Sequence, residues 1–234
     1  MNTTSATRSS PAHRLIARLK AARERSQELF ALVRPEAMYD RPIPERHRII
    51  FYLGHIEAFD WNLLRGPLGL PPFDPSLDKL FSFGIDPVDG GLPADEPKDW
   101  PSIDQVRRYN GRLREILDRR LQDIAAGDPA LASLENGRLL EVAIEHRLMH
   151  GETLAYMLHQ LDYSGKYPMG QAAGPSAPRI SPGKVEIPAG AATMGLPAGG
   201  NGVFGWDNEF QEQRVEVPAF AIDARNVTNE DFLR

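Results

Sequence analysis

The chain has 234 residues, no cysteine and a formal net charge of −5. That length allows one large domain or two smaller ones, and the absence of thiols excludes disulfides and thiolate zinc sites, so any protein-held metal must use His, Asp, Glu or carbonyl ligands. The mild acidity speaks against nucleic acid as the main partner, and no segment approaches the ~20 apolar residues of a membrane span.

The opening MNTTSATRSSPAHR has no apolar run and does not read as a secretory signal. Residues 1–10 are expected to be a disordered tail of a soluble, cytoplasmic protein. From Pro11 to Val33, Leu15, Ile16, Leu19, Ala22, Leu29 and Leu32 recur at helical spacing. Ser10 and Pro11 supply a cap and a first helical residue, and Pro35 marks the end. Arg14, Arg18, Lys20, Arg23 and Arg25 on this helix read as a solvated face. A second helix is predicted over Pro44–Leu64, stopped by Gly66-Pro67. Residues 67–100 are rich in Pro, Gly and Asp and read as a long irregular segment, a type that is often functional.

A third helix is predicted over Pro101–Ala126, with Ser102 or Asp104 near its start and Gly127 after its end. A fourth runs over Glu135–Tyr163. Four amphipathic helices over 11–165 predict a four-helix bundle. Residues 166–183 read as a Gly/Pro/Ala/Ser linker. Beyond it KVEIPAGAATMG and QRVEVPAFAID alternate as strands do, and Thr228 with Asp231 opens a last helix. The fold class is thus α followed by α+β. Residues 184–234 bury too little alone for a core and are expected to be an incomplete domain. There is no internal repeat, P-loop, nucleophile elbow or dinucleotide fingerprint.

The chemistry is concentrated in GRLLEVAIEHRLMHGETLAYMLHQL. His146 and His150 are four residues apart on a predicted helix, so both rings project from one face as a metal clamp requires. That face continues through Leu139, Ala143, Leu154, Met157 and Leu161, which turns the pair inward. In RIIFYLGHIEAFDWNLL, His55 shares a face with Phe51, Phe59 and Leu63, and Gly54 allows close approach of another backbone. Inward imidazoles without partners cost about 1–3 kcal/mol each, and a shared metal removes that cost. Three neutral imidazoles with open positions suit catalytic Zn(II) or non-haem Fe(II), and ligand type does not choose between them. Glu57, Asp60, Glu145 and Glu152 are candidates to orient a ligand imidazole, Glu152 first. His13, His47 and His159 read as surface or helix-end residues.

FYLGHIEAFDWNLL and EHRLMHGETLAYMLHQL resemble the two metal motifs of the DinB-like domain in sulfoxide synthases of the ergothioneine and ovothiol pathways. The resemblance covers residues ~10–165 and implies His55, His146 and His150 as ligands of Fe(II). It further implies an O2-dependent oxidoreductase, hercynine-oxygenase-like, that joins a thiol to a histidine-derived imidazole as a sulfoxide. Residues 184–234, with VEIPAGAATMG and FGWDNEFQEQRVEVPAFAIDARNVTNEDF, resemble the opening of a formylglycine-generating-enzyme (sulfatase-modifying-factor) domain of C-type-lectin-like fold. In that family a catalytic tyrosine comes late in this second domain, so it is expected beyond Arg234. Two departures stand out. Met149 occupies a place where the ergothioneine enzyme carries a glutamine that touches the substrate imidazole. VRRYNGRLR, with Arg107, Arg108, Tyr109, Asn110 and Arg112, stands where a Tyr-Arg pair lies near the thiol. Other readings are a DinB-like Zn(II) hydrolase or thiol transferase, and a non-catalytic binding module stabilised by its metal.

Overall fold

The computed structural model describes residues 10–82, 94–127, 134–168, 183–197, 199 and 203–233. The chain divides into two compact units after Met169. The expected tail, most of the expected linker and part of the Pro/Gly-rich stretch lie outside the described residues.

In the first unit, α1 spans Pro11–Ala31, and the Ser10 side chain accepts from the His13 amide at 3.3 Å. Arg23, expected on a solvated face, is buried there because its guanidinium pairs with Asp118 and Asp60. α2 spans Ile49–Leu64, starting five residues later than Pro44. Arg48 precedes it in extended conformation and donates to the Tyr39 carbonyl at 2.7 Å and to Asp95. The stretch expected to be irregular contains a short helix, α3, at Pro75–Leu80. Asp74 caps it by accepting from the Ser76 and Leu77 amides, with Pro75 at the first position. α4 spans Ile103–Ala125 behind a Ser102/Gln105 capping box. α5 spans Arg138–Gln160. Its start is three residues late because Glu135, Asn136 and Gly137 have positive φ (52°, 56° and 99°).

The four long helices pack mutually: α1 against α5 and α4, and α2 against α4 and α5. Leu19, Ile50, Trp61, Leu113, Leu117, Leu140 and Met157 are among the core residues. Each buried side chain of this size contributes about 1.5–3 kcal/mol. α5 is rotated from the expected phase. Its buried residues are Leu140, Ala143, Ile144, Arg147, Leu154, Met157 and Leu158, so Arg147 lies in the seam and both histidines lie at its edge. After α5 the chain returns to the end of α1, where Lys166 bridges Val33 and the Tyr167 amide donates to the Leu32 carbonyl. Among the described residues no helix is long and apolar enough to cross a membrane.

The second unit is a small sheet region. β1 (Lys184–Ile187) pairs antiparallel with β4 (Phe220–Asp223), and β2 (Gly190–Met194) pairs antiparallel with β3 (Gln213–Val217). The two ladders are nested in sequence. Thr228 and Asp231 form a capping box at α6 (Asn229–Phe232). Val185, Met194, Phe220 and Ile222 are exposed, so the described part of this unit has no core. Two-stranded ladders are too small to enclose one.

Candidate metal centre

His55 sits mid-way along α2, and His146 and His150 sit one turn apart on α5. His55 is buried and the other two are partly buried. Ring centroids lie 5.1 Å apart for His55–His146, 4.9 Å for His55–His150 and 4.5 Å for His146–His150. One nitrogen from each ring falls within 4.8 Å of the other two, an arrangement that can hold a metal ion. Phe51 stacks on His55 at 4.7 Å and Phe59 stacks on His146, while Tyr52 flanks His150 at 5.5 Å.

The chemistry of the donors fits a metal. His55 Nδ1 lies 2.7 Å from the Phe81 carbonyl oxygen. A carbonyl only accepts, so Nδ1 carries the proton and Nε2 keeps its lone pair. Such a carbonyl contact is a common outer partner of a ligand histidine. His146 Nε2 and His150 Nε2 are 3.1 Å apart. Two nitrogens sharing a metal at ~2.1 Å in octahedral or tetrahedral geometry are about 3.0–3.4 Å apart. Burial, then His150 and His55, pushes His146 down to about 2. Burial, then His55, pushes His150 down to about 3. Burial also lowers His55, partly offset by the Phe81 carbonyl. All three are neutral at pH 7, as metal ligands must be.

The Phe81 carbonyl is held in place by α3. A Cβ on Gly54 would lie 2.5 Å from the Phe81 ring, so only glycine lets this ring seat against α2. What approaches Gly54 is therefore an aromatic side chain, with the useful carbonyl behind it. Asp78 in α3 accepts from Trp61 Nε1 of α2 at 3.2 Å and from the Tyr109 hydroxyl of α4 at 2.7 Å. Burial, reinforced by Asp78, raises the Tyr109 phenol far above its usual range. Tyr109 thus latches α3 between α2 and α4.

Behind the histidines lies a buried ion cluster. Arg147 Nη1 donates to Glu57 at 2.8 Å, and Nη2 donates to Asp60 at 2.5 Å and to the Ile56 carbonyl at 3.0 Å. Arg114 also reaches Glu57 at 2.5 Å, and Arg23 reaches Asp60 at 3.8 Å. Burial alone would raise Glu57, but Arg147 and Arg114 more than reverse it and hold the carboxyl well below its usual range. Glu57 and Asp60 are therefore committed to guanidinia and do not orient an imidazole.

The remaining candidates are scattered. Glu152 and Met149 are exposed on α5, Met149 at 48%. Glu145 pairs with Arg18 on α1. Arg107 and Arg108 are exposed on α4. Arg107 lines a cavity of about 360 Å³ that α2 borders with Leu53, Ile56 and Glu57, the side opposite His55. His13 bonds Ser10 at the start of α1, and His159 is exposed. His47 is half-buried just before α2 and packs against Phe51 with tilted rings and centroids 4.0 Å apart, closer to the aromatic packing than a surface residue. The residues that sequence reasoning passed over are Arg147, Asp78 and Phe81. Asp74-Pro75 was a helix-start signal for the segment carrying the last two. Arg147 lies at helical spacing from Leu140, Ile144 and Leu154, which marks a buried cation in need of carboxylates.

Residues 18–154 match the DinB superfamily. The chain belongs to that superfamily. All three histidines fall within the matched DinB segment. The chain is also similar to two fungal proteins, each named Ergothioneine biosynthesis protein 1. It is 34% identical to the one from Neurospora crassa, over 84% of this chain and 24% of that protein. It is 26% identical to the one from Schizosaccharomyces pombe, over 86% of this chain and 30% of that protein. The chain thus spans a quarter to three-tenths of the length of these curated relatives.

Proposed function

We propose that this chain carries the metal centre of a non-haem Fe(II), O2-dependent enzyme of ergothioneine biosynthesis, one that joins a thiol to a histidine-derived imidazole as a sulfoxide. The observation that carries the reading is the converging trio His55, His146 and His150 in a DinB-superfamily chain similar to two proteins named for that pathway. In this reading residues 11–165 are a DinB-type four-helix bundle, and residues 184–234 are the opening of a formylglycine-generating-enzyme-like domain. The substrates are small molecules, and the protein works in the cytoplasm.

His55, His146 and His150 would hold Fe(II), and three protein ligands would leave coordination positions open to a thiol and O2. Iron held there would lower the thiol pKa and offer a place for O2, while the four electrons that reduce O2 would come from the substrates, two in forming the C–S bond and two in forming the sulfoxide. The protein's part is geometric and electrostatic. The Phe81 carbonyl keeps the His55 Nδ1 proton in place, so that Nε2 stays a ligand. Burial keeps His146 and His150 unprotonated. Phe51, Phe59 and Tyr52 line the ring faces and exclude water from them. Met149, exposed beside His150, offers a thioether where the family places an amide, so the imidazole substrate meets a softer, less polar contact here. Tyr109 acts through Asp78 as a positioning residue, and of the two arginines Arg108 is the candidate to meet a substrate carboxylate, since Arg107 opens on the cavity across α2 from His55.

The test is anaerobic reconstitution with Fe(II) of a full-length form that carries the rest of the second domain, followed by O2 uptake and mass-spectrometric search for a sulfoxide with a trimethylated histidine and a small thiol. Iron bound at the three histidines with no sulfoxide from any thiol–imidazole pair refutes the substrate claim. The donor set serves Zn(II) equally well, so metal analysis of protein made without supplementation decides between iron chemistry and a zinc hydrolase or thiol transferase.

A further inference from the structure

We infer that Arg147 is a positioning residue of the metal centre: its buried ion pairs set the register of α5 on α2 and so bring His146 and His150 against His55. This rests on the metal reading proposed above. The Arg147 side chain is fully enclosed, and its three contacts all lie on one turn of α2, the Ile56 carbonyl and the Glu57 and Asp60 carboxylates. That turn begins directly after His55. On α5 the guanidinium sits between the two ligand positions. The clamp and the ligands therefore occupy the same turns of the same two helices.

Stability alone does not account for the cluster. Desolvating buried ions costs about what their attraction returns, and apolar replacements of buried ion pairs are often as stable or more so. A lone cation this close to a metal would also repel it. Arg147 is compensated because Arg23 and Arg114 complete, with Glu57, Asp60 and Asp118, a group of three guanidinia facing three carboxylates. What such a group supplies is a single register. Apolar side chains tolerate sliding, but a planar fork matched to two carboxylates and a carbonyl does not. A slip of one turn moves a helix by about 5.4 Å. The three donor nitrogens now lie within 4.8 Å, so such a slip would take the α5 ligands out of reach of His55.

The test uses the full chain and Co(II) as the probe. The decisive variant is R147M/R114M/E57L/D60L, which removes the clamp together with the second guanidinium on Glu57 and leaves Arg23 paired with Asp118, so that no charge is stranded. Because the chain has no cysteine, nitroxides at Gly66→Cys and Leu148→Cys report the α2–α5 distance by pulsed EPR. Both positions are open: a Cβ at Gly66 meets nothing within 4 Å, and Leu148 is 42% exposed. The expected result is a helical protein that melts no lower than the parent without metal, yet binds Co(II) about 10-fold or more weakly and gives a shifted or broadened distance. If the quadruple variant does not fold, R147K decides in the same way, because it keeps the charge and loses the fork. A folded variant with parent-like Co(II) affinity, or with a parent-like distance, overturns the role of Arg147. A parent chain that binds no Co(II), or binds it equally well after His55→Ala, His146→Ala and His150→Ala, removes the metal reading and this inference with it.

Discussion

Gly54→Ala is the smallest change that should disturb the centre, because it adds one methyl where the Phe81 ring lies. The new Cβ would stand 2.5 Å from two ring carbons and 2.6 Å from a third. Phe81 is fully buried, so its ring cannot swing into solvent. Overpacking of this kind costs about 1–3 kcal/mol. Replacing glycine by alanine inside a helix returns about 1 kcal/mol. The net expectation is a loss of roughly 0–2 kcal/mol in urea unfolding of the metal-free protein. The larger effect falls on the metal. If relief of the clash draws the Phe81 backbone away by an ångström, the 2.7 Å bond to His55 Nδ1 is broken. Loss of an outer hydrogen bond to a ligand histidine weakens metal binding about 10–100-fold. Titration with Co(II) measures this directly. The double variant G54A/F81L, which makes room for the methyl, should recover most of both losses. A Gly54→Ala protein that gains the full helix-propensity increment and binds Co(II) like the parent would refute the close packing of Phe81 on α2 and its link to His55.

His146→Ala should weaken Co(II) or Fe(II) binding at least ~100-fold while helix content is kept. The metal-dependent stabilisation, about 2.7 kcal/mol at a metal concentration 100 times Kd, should vanish from melting curves. Tyr109→Phe removes the donor to the Asp78 carboxylate and should cost about 1.5–3 kcal/mol in denaturant unfolding; no change would mean that α3 is not latched there. Chelated, metal-free protein should lose stability on acidification. The folded pKa values of His146 and His150 are about 2 and 3, below the ~6.5 of an unfolded chain, so under pH 6.5 the unfolded state binds protons that the folded state refuses. Stability from this source is complete above pH 6.5 and falls below it, by up to ~2.7 kcal/mol per pH unit for two protons; a flat profile between pH 7 and 5 would contradict the buried, neutral pair. Glu152→Ala, at an exposed position, should shift stability by no more than ~0.5 kcal/mol and leave Co(II) affinity unchanged.

The four long helices, the two strand-forming segments and the three histidines are legible in the sequence because each rests on a local rule. Apolar periodicity shows which faces turn inward. Ser10, Ser102 and Thr228 announce helix starts through short-range capping. The i,i+4 spacing of His146 and His150 is itself a geometric statement. Their convergence with His55 is not, because α2 and α5 are some ninety residues apart in sequence.

Tertiary structure alone decided the rest, and for one physical reason: the groups concerned find their partners far along the chain. Arg23, on a helix whose basic residues read as solvated, is buried because Asp60 and Asp118 meet it. Glu57 and Asp60, plausible imidazole partners beside His55, instead hold Arg147 from α5. The imidazole partner comes from a backbone carbonyl at the end of a short helix, in a stretch whose composition suggested no helix. A carbonyl leaves no mark in a sequence, since every residue carries one. The sequence by itself determined which side chains can ligate. Packing determined which nitrogen of His55 is free to do so, and which buried charges hold the two helices in register.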